Sequence, residues 1–456
     1  MGENETVKAG ARGVRFHSVV LGALCALSCG AGTVYEKYQD WQLNAVEIAD
    51  PKADTNVRNQ MDFTRPLHGP WLTNPAADGM TVSFISRVRC GAAIEWREKG
   101  GEAWTRRWNT TYGFVDYSDV VHCFHLSGLN PGTEYEYRFV TAMNSHETPY
   151  TEVITGREIR TFRTLDPKRD RYRVWVTADF HGGSRLNLDP MYERTGAADA
   201  DLYIFLGDNV EDRLGGEPAY YITFGFLDDV SRLWGGTKPS LFLRGNHDAS
   251  GREAGQWGRF FPHPTGHAYY ATAQGPVLFV SFDLVREWHR APAAQEQFAA
   301  YQSEQTAWYR ELKKSPAWRS AKFRIAMGHY GVQHDIAEAD AVPPELAAEF
   351  NDQTPEGRLH LLLAGHTHAY SRHDPGAPGL KGIPPPKRPR KDGKLYLDDL
   401  TTFRYCQVIG RQCEALTIDV SPEKLVVKSH NWDTAEGKLH DAFEILPDGS
   451  VRDLAH

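Results

Sequence analysis

Val174-Trp175-Val176-Thr177-Ala178-Asp179-Phe180-His181-Gly182 opens on a short apolar run and closes on a carboxylate and an imidazole beside a glycine. The plan recurs downstream. Leu202 to Leu206 leads into Gly207-Asp208-Asn209, and Leu241 to Leu243 into Arg244-Gly245-Asn246-His247-Asp248. Phe323 to Met327 leads into Gly328-His329-Tyr330, and Leu359 to Ala364 into Gly365-His366-Thr367-His368. A sixth run, Val277 to Phe282, has the same character without a ligand counted at its end. Short runs of this kind are what strands buried on both faces look like. Helix-like stretches separate them, the clearest from Gln295 to Lys314, where Tyr301, Gln305, Trp308, Tyr309 and Leu312 share one face. Alternating strands and helices predict a layered α/β domain over residues 171–456.

Buried strands present their succeeding residues at the carboxyl edge of a sheet, where open α/β proteins place their sites. One histidine after a strand is commonplace, and a Gly-Asp pair is usually a turn. Five strand ends, each carrying Asp, Asn or His at the same place, point to a shared metal site. Glycines beside these side chains let backbone approach closely. His366 and His368, two apart in an extended segment, point the same way. The net charge of −8, from 51 Lys and Arg against 59 Asp and Glu, gives no general attraction to nucleic acid or anionic lipid. An anionic substrate then needs a local positive site, and bound cations make one. A nucleic-acid partner is therefore not expected, and the oligomeric state is left open.

Upstream the pattern differs. Over residues 66–165, short β-like runs alternate with turns: Met80 to Ile85, Ala92 to Trp96, Val120 to Leu126 and Tyr135 to Val140. Tyr135, Tyr137 and Phe139 share a face, and Asn130-Pro131-Gly132 supplies a turn just before them. Roughly 100 residues of this kind predict an all-β sandwich. Residues 36–65 read as a linker. Residues 1–35 read as a signal peptide or N-terminal anchor: Lys8, Arg12 and Arg15 precede an uncharged stretch, Ser18 to Tyr35, too short for a stable membrane span of about 20 apolar residues. Lipid attachment at Cys29 stays open. An exported location is therefore expected, with Cys90–Cys123 and Cys406–Cys413 as expected disulfides. Alternating strands at Lys394 to Leu400, Ala415 to Val420, Leu425 to Lys428 and Ala442 to Leu446 close the chain, after a basic, proline-rich loop at Pro384 to Lys391.

The ordered blocks Asp-x-His, Gly-Asp, Gly-Asn-His-Asp, a lone His and Gly-His-x-His resemble the calcineurin-like metallophosphoesterase superfamily over roughly residues 172–430. The ending His368-Ala369-Tyr370-Ser371-Arg372 and the preceding fibronectin-III-like sandwich resemble the purple acid phosphatases within it. That resemblance implies a four-layer β-sandwich flanked by helices, preceded by the all-β domain. Two departures matter. His181 stands where the purple enzymes have no ligand, and Glu211 stands where they have a tyrosine ligand. A tyrosinate-to-iron band therefore has no source here.

The resemblance also implies roles. Asp179, His181 and His368 would hold one metal, Asn246, His329 and His366 a second, with Asp208 bridging. Such mixed ligands suit Mn, Fe or Zn. The implied reaction is hydrolysis of phosphate monoesters by a metal-activated hydroxide. His247 would serve as general acid or as a hydrogen-bond donor to the phosphate, with Asp248 orienting it. Diester hydrolysis and a catalytically silent phosphate-binding or adhesion protein are the rival readings. Glu211 and Asp212 are candidates to support the ligands, and His334 to reach substrate; His122 and His125 read as surface or packing residues.

Overall fold

The computed structural model describes residues 66–86, 89–144, 151–181, 188–209, 226–250, 254–285, 292–331, 342–352, 354–376, 406–410, 414–432 and 437–454. The leader-like segment, the linker, the Lys394 to Leu400 run and the basic loop lie outside them.

The N-terminal region is built on two antiparallel sheets, with a small Thr110–Thr111/Phe114–Val115 pair besides. One orders His68–Thr73, Gly79–Ile85 and Val121–Ser127; the other orders Arg160–Arg163, Glu134–Asn144, Gly91–Glu98 and Thr105–Trp108. Side chains alternate across each strand, so Val82, Phe84 and Phe124 of the first meet Ile94, Tyr137 and Phe139 of the second in one cluster. The Tyr135–Tyr137–Phe139 face is the buried one.

The expected Cys90–Cys123 disulfide is absent, and both thiols are free. Alternation explains why. His122 and Cys123 are successive residues of one strand and point to opposite faces. Cys90 lies on the His122 side, its Sγ 3.8 Å from His122 Nε2, whereas the Cys123 thiol donates to the Arg259 carbonyl at 3.3 Å. Cys413, half of the second expected pair, lies outside the described residues. His122 itself is a buried packing residue bonded to Ser86 Oγ at 3.0 Å.

Downstream, Ser240–Phe242, Leu202–Phe205 and Tyr172–Thr177 run parallel, and Glu414–Val420, Leu425–Asn431, Lys438–Ile445 and Val451–Asp453 extend the sheet antiparallel. A second sheet orders Tyr270–Gln274, Val277–Ser281, Phe323–Met327, Leu361–Ala364, Cys406–Ile409 and Ser371–His373, its central four strands parallel. The six apolar runs are thus six of the seven parallel strands in the two sheets, Cys406–Ile409 being the seventh. Val174, Val176 and Ile204 of the first sheet share an apolar cluster with Phe279, Ile325 and Leu363 of the second. The opposite face of the first, with Trp175, Tyr203 and Phe205, packs on Leu188, Phe226 and Trp234. The opposite face of the second, with Leu278, Val280 and Leu362, packs on Tyr309, Trp318 and Leu346. Each fully buried aliphatic side chain stabilises by about 1.5–3 kcal/mol, which is why strands apolar on both faces are held so firmly.

The long helix spans Pro292–Leu312, and Gln305 and Tyr309 of its expected stripe are fully buried. Ser315 then caps the next short helix by accepting from the Trp318 N–H, with Pro316 in the first turn. The N-terminal sandwich packs on the same helical layer as the first sheet: the Trp71 indole donates to Phe260 O at 3.0 Å and Tyr137 Oη to Gly236 O at 2.7 Å.

Arg372 has a structural task. Only 1% of its side chain is exposed, and its guanidinium meets Asp441 and Asp374 at 2.9 Å and also reaches Asp453. Tyr370 Oη donates to the same Asp441 at 2.6 Å. Arg372→Ala leaves these acids facing one another and is expected to destabilise the fold by about 3–5 kcal/mol. Denaturant unfolding measures this; a loss under about 1 kcal/mol would mark the network as no stronger than a surface pair.

Candidate metal centre

The five strand ends converge. Asp179 and Asp208 follow neighbouring parallel strands, and the Asp179 N–H donates to Gly207 O at 3.1 Å while the His181 N–H donates to Asp208 O at 2.8 Å. From the other sheet, the Gly365 N–H donates to His329 O at 2.9 Å. The two sheets are joined at the site, because the His366 N–H donates to both Asp179 carboxylate oxygens at 2.9 Å.

Side chains then form a continuous cluster. His368 Nε2 lies 3.0 Å from His181 Nε2 and 3.6 Å from Asp179 Oδ1. Asp208 Oδ2 lies 3.2 Å from His329 Nε2 and 3.9 Å from the Nε2 atoms of both His181 and His247. Asn246 Oδ1 sits 2.9 Å from His329 Nε2. His329 Nδ1 points at Leu206 O, 2.9 Å away, a contact that selects the Nδ1–H tautomer and leaves Nε2 facing the cluster. Asp179, His181, Asp208 and His368 offer ligand atoms within 4.8 Å of one another, as do Asp208, His329 and His366. Asp208 belongs to both groups. Its Oδ2 is buried and accepts no hydrogen bond of good geometry, although three imidazoles face it.

The backbone is held in an unusual state here. Asp179, His181, Asp208, His366 and His368 all have positive φ, between 51° and 76°; the other non-glycine residues that do so among the described ones are Asn74 and Tyr112. Such conformations cost of order 1–3 kcal/mol each and persist where surrounding structure imposes them. Glycine is required at Gly245, whose Cβ would stand 2.0 Å from the Asp208 nitrogen, and at Gly207, where φ is 101°.

Charge is unevenly shared. Burial, aided by the Asp208 charge, pushes the Asp179 carboxyl up to about 7. Burial likewise lifts Asp248 to about 7 and depresses His181 to about 4. His329 resists burial because the Asp208 carboxylate holds its proton, raising it to about 9. Asp208 is held below the usual carboxylate range, against burial, by the His329 and His247 imidazoles. Two buried acids with four crowded imidazoles form a donor set suited to cations, whose charge would favour the ionised acids and neutral histidines.

His247 and Asp248 part company. His247 is 30% exposed and stacks edge-on to His181 at 4.5 Å, so it borders the cluster. The Asp248 Oδ2, expected to orient that imidazole, accepts instead from Gly245 N at 2.8 Å, Asn209 N at 3.3 Å and Asn209 Nδ2 at 3.2 Å. It ties the Asp208 loop to the Asn246 loop. Asn209 was not singled out by its sequence; its amide also donates to Leu243 O at 2.9 Å. Asp283 was missed as well, although it comes directly after the sixth apolar run: it pairs with Arg244 at 2.5 Å, bracing the Asn246 loop from the second sheet. Glu211, Asp212 and His334 lie outside the described residues.

Comparison with known proteins points to phosphoesterases. Residues 172–370 match the family described as calcineurin-like phosphoesterase. Purple acid phosphatase 23 of Arabidopsis thaliana is 22% identical over 344 residues, covering 66% of this chain and 70% of that protein. Among solved structures, PhoD superposes with a TM-score of 0.54 at 10% identity, covering 85% of this chain and 91% of that one, a likeness of fold.

Proposed function

We propose that this chain, whose residues 172–370 match the calcineurin-like phosphoesterase family, is a dinuclear metallohydrolase that hydrolyses phosphate monoesters. One cation is assigned to Asp179, His181 and His368, the other to Asn246, His329 and His366, with Asp208 between them. The observation that carries this is the membership of Asp208 in both ligand groups, with a buried Oδ2 that accepts no good hydrogen bond. Imidazole, amide and carboxylate donors suit Mn, Fe or Zn. When bound, two such cations polarise the phosphoryl oxygens and supply a nucleophile from water.

The chain's residues do the rest. Asp248 and Asn209 hold the Asp208 and Asn246 loops in register. His247, exposed at the cluster rim, is placed to give a proton to the departing alkoxide oxygen. The purple acid phosphatase relative supports monoester over diester hydrolysis. The three stacked apolar clusters support the four-layer reading, and the facing N-terminal sheets support a fibronectin-III-like domain. No described helix is long and apolar enough to cross a membrane; the Lys8–Tyr35 pattern supports export.

Hydrolysis of p-nitrophenyl phosphate, abolished by a chelator and restored by Mn or Zn, is the expected result, with its bis ester cleaved more slowly. Activity that survives metal removal, or activity on the bis ester alone, would overturn the monoesterase reading. Two bound metals with neither ester cleaved would favour a binding protein.

A further inference from the structure

We propose that a cavity beside the Asn246–His247 loop receives the leaving alcohol, and that it takes alcohols bearing a flat aromatic ring, whether aryl group or nucleobase. This rests on the phosphoesterase reading above. The cavity has a volume of about 460 Å³, within the range of small-molecule pockets. Trp257, Phe261, Phe298 and Tyr301 line it together with the imidazoles of His263 and His267.

Its place is set by the topology. Arg244 and Asp283 form part of the lining. Arg244 is three residues before His247, so their Cα atoms are within about 11 Å. Ser281 pairs with Met327 in parallel register, so Asp283 and His329 each lie two residues beyond a shared rung at neighbouring strand ends. The Arg244–Asp283 side of the cavity therefore lies at the same carboxyl edge as the cluster.

The lining chemistry selects the occupant. Asp283 is clamped, its N–H donating to Gln305 Oε1 at 2.7 Å and its carbonyl accepting from Gln302 Nε2 at 2.5 Å. It neutralises Arg244 through Nε and Nη2. Among the described residues Nη1 has no acceptor, which leaves a donor for a ring nitrogen or carbonyl. Burial pushes His263 down to about 4, so its ring is neutral at pH 7. A charged alcohol finds no unpaired charge here, whereas a planar ring finds aromatic faces and edges for stacked and T-shaped contacts.

Two glycines provide the test. At Gly255 and Gly258 an added Cβ would meet nothing within 4 Å, so a larger side chain enters open space. Gly258→Phe should fill the cavity. Rates on 1-naphthyl phosphate, adenosine monophosphate and methyl phosphate are compared with binding of free 1-naphthol and adenosine, read by tryptophan fluorescence. The aromatic-to-methyl ratio of kcat/KM should fall about tenfold or more in the variant, and the free alcohol that binds wild type should no longer bind. Which alcohol binds distinguishes an aryl from a nucleobase occupant. Phe298→Ala, at a partly exposed helix position, should weaken the same binding and serves if Gly258→Phe does not fold. An unchanged ratio, or wild type that binds neither alcohol, overturns the pocket. Wild type that binds an alcohol, loses it in the variant and cleaves no ester would sink the hydrolase reading while the pocket stands.

Discussion

Asp208→Asn is expected to lower turnover of p-nitrophenyl phosphate about 10³-fold or more, because a two-metal clamp contributes several kcal/mol to the transition state. The side chain is 1% exposed and nearly isosteric with asparagine, so the fold should survive. Its Oδ1 accepts from the His247 N–H at 2.8 Å, a bond the amide oxygen can keep. The substitution removes the second oxygen, which faces three imidazoles and belongs to both ligand groups. Steady-state kinetics with a circular dichroism control measures the effect. A fall under about tenfold, with the fold intact, would be too small for a bridging ligand.

His247→Ala is expected to lose about 10²–10⁴ in kcat on esters of poorly acidic alcohols while retaining its metals. On p-nitrophenyl phosphate the loss should be far smaller, because the stabilised p-nitrophenolate departs without a proton. The split between substrates separates an acid from a ligand, since losing a ligand slows both alike. His247 stands 3.9 Å from Asp208 at the rim of the cluster, with Asp248 buried behind it. Equal losses on both esters would contradict the general-acid role, as would undiminished activity on the poor leaving group.

The strand ends were legible because burial on both faces leaves a continuous apolar signature and the chemistry comes at once after it. Val174 to Gly182 shows both halves within nine residues, and the structure places Asp179 and His181 in the cluster. Partnerships across the fold were not legible. Asp283 finds Arg244 from a different sheet, and no local pattern announces that pair. Asp248 looked like a partner for the imidazole beside it in sequence, yet it bonds the backbone of Gly245 and Asn209. The Cys90–Cys123 pairing failed because sequence separation carries no information about which face of a strand a thiol occupies. The left-handed backbone at five site residues was equally hidden, since nothing in the identities of Asp or His requires it.

Metal content per chain tests the central claim most directly. Protein purified without added metal, then reconstituted with Mn or Zn and freed of excess, should hold two equivalents by elemental analysis, and Asp208→Asn should hold one or fewer. A folded wild type that retains no metal, or an Asp208→Asn variant that retains both equivalents, would contradict the dinuclear site.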